Sequence, residues 1–402
     1  MNPRERHILI QTCYAHFMAH FNMLVFPALV LPLAGHCRMD MAQVVGMSLW
    51  MYLFFGLSAL VWGPLADRFG ARPLMLLFYS GSACAAGLCA LLYDKPAALP
   101  LSLAALGLFS GIYHPVGVGW LSKEMRRISR ALALNGIFGS LGIALAPLAA
   151  GLACRLWGIS GAFFMLSAAN AAGLAIMLLF AERFRRLQAE NPPGPRGQAR
   201  PVPFAVLLMI MMLAGIVYRG STVMLPACLE LRNAGLLELT RSWSGGWLTA
   251  NLTATVTAGL ILLPTIGGQY IGGFLAERFD LRLTYLLFHA ATIPAVLFMA
   301  HAFDLPLVFA AVAYFFFLLG TQPVENTLLA QYTSERFRHS AFGMKFALTF
   351  GAGALVVKLI EYVKKNGSLE DVYQLLAGVS LLLVCCIVVL IAVTRPPRST
   401  LH

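Results

Sequence analysis

Twelve apolar stretches, each long enough to cross a lipid bilayer, constrain this chain more than any other feature of its sequence. A helix needs about 20 apolar residues to cross a hydrocarbon core of about 30 Å. Only 11% of the residues are charged, less than half of the roughly 25% that is typical of soluble domains. The sequence therefore predicts an all-α membrane protein with twelve transmembrane helices, at 10–33, 42–65, 73–93, 98–120, 131–153, 158–181, 204–226, 249–273, 283–302, 306–330, 341–362 and 372–394.

Lysine and arginine residues concentrate in alternate connections between these spans. With both termini placed in the cytoplasm, 19 of the 29 lie in the inner connections and tails and 7 in the outer connections. This bias follows the positive-inside rule, so we expect an integral protein of a bacterial inner membrane with cytoplasmic N- and C-termini. Because the net charge of +12 is dispersed between the spans, we predict no nucleic-acid partner.

The segment 182–203 divides the chain into two halves. It contains five arginines and five prolines without helical periodicity, a composition that is typical of a linker. The sequence therefore predicts an N-terminal six-helix bundle over 1–181, a cytoplasmic linker over 182–203 and a C-terminal six-helix bundle over 204–402. Arg4 and Arg6 precede the first apolar stretch as in a signal peptide, but that stretch is too long for one and is interpreted as a retained span.

A ten-residue segment occurs in both halves of the chain. GPLADRFGAR follows the second span at 63–72, and GFLAERFDLR follows the eighth span at 273–282. Six of the ten positions are identical, and an acid stands at the same place in both copies. This repeat predicts that the two six-helix bundles are related by pseudo-symmetry.

The repeated segment resembles the signature loop of the major facilitator superfamily, and with the twelve spans and the basic linker the resemblance covers the full length. It implies the major facilitator fold. In that family, the acid matching Asp67 is implied to hold the halves together on the cytoplasmic side by facing a helix N-terminus of the other half, which favours the outward-facing state. The alternative is a loop placed only for topology. The matching residues are Gly63, Asp67, Arg68, Gly70 and Arg72 in the first copy and Gly273, Glu277, Arg278 and Arg282 in the second, where Asp280 replaces a glycine.

Histidines stand at membrane depth in the first and fourth spans. His16 and His20 are four residues apart and share a helix face. Together with Asn22 they are candidates for lining a cavity or relaying protons, with packing as the alternative; no acid or thiol ligand can be assigned to them, so no metal site is predicted. In the fourth span, Tyr113 and His114 precede a proline, and this histidine-proline pair resembles the fosmidomycin-resistance-like group of exporters.

The corresponding place in the second half carries Gln322, followed by Glu325 and Asn326. A charged residue at membrane depth costs about 2.5–3.5 kcal/mol on insertion scales, so its presence indicates a function. Burial favours a proton on an acid, which makes Glu325 a candidate for proton coupling. An ion pair with Lys345 of the eleventh span is the alternative.

The seventh span contains Tyr218 and Arg219. A guanidinium at membrane depth needs a partner, and a substrate anion or an acidic side chain supplies one. Snorkelling towards the outer surface is the alternative, since Gly220 to Pro226 can mark the end of the span.

Small residues recur at every third or fourth position in the fifth span, a pattern that allows close helix packing. It resembles the antiporter signature of exporters in the superfamily, although Ala146 stands where a glycine is usual. The residues that carry this pattern are Gly139, Gly142, Pro147 and Gly151.

These features favour a secondary active transporter that moves a small solute by alternating access, with proton-coupled efflux by antiport as the specific hypothesis. Proton-coupled uptake by symport is the nearest alternative, and a non-transporting membrane sensor is another. The sequence has no phosphate-binding loop, metalloprotease motif or assembled catalytic triad, so we expect neither an enzyme nor a cofactor. The expected partners are a small-molecule substrate, protons and the lipid bilayer, and the expected state is a monomer.

Overall fold

The computed structural model describes residues 3–125, 128–179, 200–334 and 338–394. Across these residues the chain forms helices and no strands. Nine helices are long and apolar enough to cross a membrane, and two bent helix pairs raise the number of candidate spans to eleven.

One of these helices, Ile128–Leu179, is two spans joined by a reversal. Gly158 within it has φ 74° and ψ −176°, a conformation that glycine adopts without strain. On span 1, the Tyr14 hydroxyl donates to Ala169 O at 2.9 Å, and His16 Nδ1 lies 2.8 Å from Asn135 O. In a straight helix Asn135 and Ala169 would be about 50 Å apart, so the chain must fold back between them. Counting this helix as two brings the candidate spans in the described residues to twelve, the number predicted from the sequence.

The first six spans fill the N-terminal half of the bundle. Span 1 bends by 44° after Pro27, whose missing N–H removes a helical hydrogen bond, and span 2 bends by 42° at Ser58. The helices are Pro3–Ala28 and Val30–Cys37 (span 1), Met41–Gly46, Leu49–Leu57 and Ala59–Phe69 (span 2), Ala71–Leu92 (span 3), Leu99–Ser110 and Tyr113–Glu124 (span 4), and the two parts of Ile128–Leu179 (spans 5 and 6).

The second half repeats this arrangement. Its helices are Pro201–Arg232 (span 7), a short connecting helix Ala234–Trp243, Ala250–Leu262 and Thr265–Arg278 (span 8), Leu281–His301 (span 9), Asp304–Gly320 and Gln322–Tyr332 (span 10), Arg338–Phe346, Ala347–Gly351, Ala352–Leu355 and Val356–Asn366 (span 11), and Leu369–Thr394 (span 12). Within span 11, Ala347–Gly351 is a π-helix and Ala352–Leu355 is a 3₁₀ helix.

The repeated ten-residue segment has equivalent neighbours in both halves. A Cβ placed on Gly63 would lie 3.8 Å from Pro115 Cβ, and a Cβ placed on Gly273 would lie 3.7 Å from Pro323 Cβ. Both prolines follow a break in the middle of a span, span 4 in one half and span 10 in the other. The two copies of the segment therefore pack against equivalent prolines in their own halves.

Span 7 extends beyond its predicted bounds, 204–226, at both ends. Span 7 begins at Pro201 and continues to Arg232, so residues 201–203 belong to the span and Pro226 lies inside it. A proline fits the first turn because its missing N–H has no helical acceptor there. Most of the predicted linker, 182–199, lies outside the described residues.

The two halves close against each other at one end of the bundle. We call the end that carries Pro3 and Thr394 the terminal side and the opposite end the distal side. On the distal side, Asn251 Nδ2 donates to Ala28 O at 2.9 Å, and Arg155 Nε donates to Trp247 O at 3.1 Å. These hydrogen bonds join span 8 to span 1 and the 5–6 turn to the segment before span 8.

Close packing of span 5 against span 1 depends on Gly142. An added Cβ there would collide with the Phe17 carbonyl oxygen, whereas a Cβ on Gly136 of the same span would meet nothing within 4 Å. We expect Gly142→Ala to lower the free energy of unfolding by about 1–3 kcal/mol, because the spans must separate. Gly136→Ala, the matched control, should be neutral or stabilising by about 0.5–1 kcal/mol. Thermal unfolding in detergent measures both; equal midpoints would contradict the packing argument.

Candidate functional site

Three histidines of the N-terminal half converge in the middle of the bundle. His16 and His20 on span 1 and His114 on span 4 each place one ring nitrogen within 4.8 Å of the others. The ring centres of His16 and His20 are 5.0 Å apart, and those of His20 and His114 are 5.3 Å apart. We call these three residues the histidine cluster.

Neighbouring polar groups orient the histidine cluster. His16 Nδ1 lies 2.8 Å from the carbonyl oxygen of Asn135 on span 5; because a carbonyl only accepts, Nδ1 carries the proton and Nε2 has a free lone pair. The Asn135 side chain accepts a hydrogen bond from the Tyr113 hydroxyl at 2.7 Å. The His114 Nε2 atom is buried and has no hydrogen-bond partner among the described residues.

Glycine makes room for this arrangement on span 5. A Cβ on Gly139 would lie 2.6 Å from the His16 ring, so that position admits no side chain without moving the imidazole. Gly151, farther along the span, packs on Thr255 of the other half, and Pro147 lies between them inside the helix. The small residues that resemble the antiporter signature therefore line the contacts of span 5 with span 1 and span 8.

The second half covers the histidine cluster with two aromatic rings of span 11. Phe346 and Phe350 stack on the His114 ring at centroid distances of 4.8 and 5.2 Å. Phe346 directly precedes the π-helix Ala347–Gly351 and Phe350 lies within it; this wider turn is common at functional sites. Sequence analysis missed both rings; only the small-residue run Gly351 to Ala354 hints at irregularity there.

Arg219 of span 7 lies at the same interface between the halves. Its side chain is buried, with 2% of its surface exposed, which excludes snorkelling. The guanidinium carbon lies 3.8 Å from the ring centre of Tyr52 on span 2 and 5.7 Å from that of Tyr218. No acidic side chain among the described residues lies within ion-pair distance of it. Arg219 is near enough to His20 for their charges to interact.

A second charged group lies on spans 10 and 11. Lys345 Nζ is 2.9 Å from Glu325 Oε1, and both side chains are buried. The lysine also donates to Asn326 Oδ1, and the Tyr285 hydroxyl of span 9 donates to Glu325 Oε2 at 3.3 Å. The ion pair considered from the sequence is therefore present.

Two other candidates lie apart from the histidine cluster. Asn22 does not join His20; it donates to Ser110 at 2.9 Å and exchanges hydrogen bonds with Asn170 inside the N-terminal half. Gln322 accepts a hydrogen bond from Gln269 at 3.4 Å, and Gln269 also donates to Ser140 of span 5 at 3.0 Å. Gln322 is thus linked to the first half through Gln269.

The loops of the repeated motif lie on the terminal side. Asp67 Oδ1 is 2.8 Å from Lys123 Nζ in the same half, and both side chains are mostly exposed. In the second copy, the Arg282 guanidinium donates to Asp280 and lowers the pKa of that carboxyl to about 2. Gly70 turns the first loop with φ 85°, whereas Asp280 caps span 9 by accepting from the Arg282 and Leu283 amides. At equivalent turns, the first copy therefore uses a glycine with positive φ and the second uses an aspartate that caps the following helix.

The remaining motif residues lie at the ends of spans 2, 3 and 8. The Arg68 guanidinium carbon is 5.2 Å from the Phe69 ring centre, and that of Arg278 is 4.0 Å from the Phe274 ring centre. Arg72 lies in the first turn of span 3, and Glu277 is exposed near the end of span 8.

Comparisons with known proteins agree on the fold. The family profile of the Major Facilitator Superfamily matches residues 12–357. A POT family transporter in complex with 5-aminolevulinic acid has a TM-score of 0.78 and 15% identity, covering 98% of this chain and 97% of that one. A mutant of the nucleoside transporter NupG has a TM-score of 0.71 and 14% identity, covering 95% and 99%. A bacterial homologue of the lysosomal transporter Spinster, inward-facing and occupied, has a TM-score of 0.69 and 15% identity, covering 98% and 96%. No curated protein matches the sequence.

Proposed function

Because this chain belongs to the Major Facilitator Superfamily and is an integral membrane transporter of that type, we propose that it exports a small anionic solute in exchange for protons. The binding site in this proposal lies between the halves, at the histidine cluster and Arg219. Alternating access then follows from rocking of the two halves around that site.

The observation that carries this proposal is the buried Arg219 without an acidic partner among the described residues. An uncompensated charge in a low-dielectric interior is costly, and stacking on Tyr52 offsets only part of that cost, about 2 kcal/mol for a desolvated cation–π contact. A carboxylate or phosphate on the solute completes the pairing, because the planar guanidinium binds such groups with two parallel hydrogen bonds.

The Glu325–Lys345 pair is the proposed site of proton coupling. Glu325 faces Lys345 from span 11 and Tyr285 from span 9, and Lys345 is near enough to His114 for their charges to interact. A proton on Glu325 removes the negative charge that holds Lys345. For exchange, the proton and the solute must occupy the protein in turn. In this proposal the solute therefore binds while Glu325 is ionised and paired with Lys345, and protonation of Glu325 belongs to the solute-free return step.

We also propose a role for Asp67 of the repeated segment in the conformation that is closed on the terminal side. The halves are closed on the distal side, and Asp67 pairs with Lys123 of its own half. We assign the expected contact of Asp67 with a helix N-terminus of the second half to the state that is closed on the terminal side. In this proposal the terminal side is the cytoplasmic face of a bacterial inner membrane.

Transport in oriented vesicles tests the direction and the coupling. A thermal-shift screen of antibiotics, organic anions, sugars, amino acids and metal chelates first selects the ligand. Its flux is then followed in inside-out and right-side-out vesicles, with and without a pH gradient. We expect accumulation in inside-out vesicles with an acidic lumen, since the solute enters as protons leave. Accumulation driven from the opposite side would indicate symport, and flux that ignores the pH gradient in both orientations would contradict proton coupling.

A further inference from the structure

The histidine cluster has the donor set of a metal site. Its three ligand nitrogens lie within 4.8 Å of one another, and imidazole nitrogens suit divalent zinc, nickel, copper and iron. The proton on His16 Nδ1 is fixed by the Asn135 carbonyl oxygen, the arrangement that orients most metal-binding histidines and leaves the other nitrogen free. His114 Nε2 is buried and lacks a hydrogen-bond partner in the described part of the chain, so a ligand there removes a desolvation cost.

The distances are compatible with a bound ion after a small closure. With metal–nitrogen bonds of about 2.0–2.1 Å in a tetrahedral site, ligand nitrogens stand about 3.3 Å apart. The largest separation in the cluster is 4.8 Å, so the rings must approach by about 1.5 Å at most to reach that geometry. Rotation of the side chains supplies such a shift, and three protein ligands leave the fourth position open.

The charged residues around the histidine cluster indicate which ligands a metal ion must carry when it binds there. No carboxylate or thiolate of the described residues joins the three imidazoles, and Glu325 is paired with Lys345. Arg219 stacks on Tyr52 at the same interface between the halves, near enough to His20 for their charges to interact. A bare dication would add to the positive charge of Arg219 in a buried site. Anionic ligands must therefore arrive with the metal.

We propose that His16, His20 and His114 bind a divalent transition-metal ion that arrives as a complex with a small carboxylate chelator, which Arg219 binds through a carboxylate. The imidazoles hold the metal, oxygen atoms of the chelator fill the open fourth position and the fifth position that such sites gain on expansion, and the guanidinium neutralises the chelator's charge. This inference rests on the proposed export function, because it names the class of solute that the central site carries.

Cobalt binding to the purified full-length protein tests the metal site without any transport assay. Co²⁺ is titrated alone and as its citrate complex, and the visible absorption of four- or five-coordinate cobalt, which is stronger than that of the hydrated ion, reports imidazole ligation. We expect one cobalt per chain, with tighter binding for the citrate complex. His16→Ala, His20→Ala and His114→Ala should each weaken binding at least about tenfold, while Arg219→Ala should weaken binding of cobalt citrate much more than binding of Co²⁺ alone.

Matched variants keep the outcome interpretable. His289→Ala removes a buried histidine of span 9 that lies outside the cluster, and it should leave cobalt binding unchanged. His114→Gln preserves a polar side chain if the alanine variant fails to fold, and it should still weaken binding. Absence of cobalt binding to the folded wild-type protein, or equal affinities in wild type and the His16→Ala/His20→Ala double variant, would overturn the proposal. If cobalt binds but the flux of the solute does not depend on the pH gradient, the metal site is supported and the proposed proton antiport is contradicted.

Discussion

Lys345→Met is expected to lower the free energy of unfolding by about 3–5 kcal/mol, because it leaves Glu325 as a buried charge without its counterion. The side chains of Lys345 and Glu325 are 8% and 6% exposed, and their charged atoms are 2.9 Å apart. Water therefore cannot replace the lost partner. Thermal or denaturant unfolding of the purified protein measures the loss.

Two further variants separate burial of the charge from loss of the lysine stem. Lys358→Met removes the cation of a partly exposed ion pair on the same span, in which the lysine side chain is 54% exposed, so we expect a change of no more than about 1 kcal/mol. The double variant Glu325→Gln/Lys345→Met removes both charges and should recover most of the lost stability. A double variant as unstable as Lys345→Met alone would show that packing, not charge, is what the lysine contributes.

Arg219→Ala is expected to weaken binding of the selected anionic solute by about 2–5 kcal/mol, on the order of 30-fold or more. The substitution removes the buried guanidinium that has no acidic partner in the described residues. Binding is measured by thermal shift and by equilibrium binding, and flux is measured in vesicles. Because the alanine also relieves an uncompensated buried charge, the variant should fold at least as well as the wild type.

Arg219→Lys and Arg241→Ala are the controls for that experiment. The lysine keeps a positive charge but cannot stack flat on Tyr52 or bind a carboxylate with two parallel hydrogen bonds, so we expect only partial recovery of binding. Arg241 is exposed on the short connecting helix, and its alanine variant should bind normally. Normal solute affinity in Arg219→Ala would show that the binding site lies elsewhere.

Some members of the central site could be anticipated and others could not. His16 and His20 share a helix face because they are four residues apart, and their rings meet as expected. His114 lies on a different span, far along the chain, and no spacing rule links it to them. Without this third imidazole the sequence offered no reason to predict a metal site.

The position of Arg219 along its span could not be predicted from the sequence. Gly220 and Pro226 are residues that commonly end helices, yet span 7 continues through both to Arg232. Neighbouring helices bury this region, and their packing offsets the weak helix propensity of the two residues. Because span 7 continues, Arg219 lies within the span and contacts Tyr52 of the other half, not near the end of a helix.

The amino-acid sequence alone determined the twelve-span helical architecture and its duplication, because both follow from local properties: apolar length, turn residues and a repeated ten-residue loop. Tertiary structure alone decided which polar side chains meet. His114 lies beside His16 and His20 of span 1, Asn22 donates to Ser110 and Asn170, and the Phe346 ring of span 11 stacks on His114. Such encounters depend on how helices rotate and bend against each other, through close glycine contacts and breaks within spans, and no local pattern encodes those rotations.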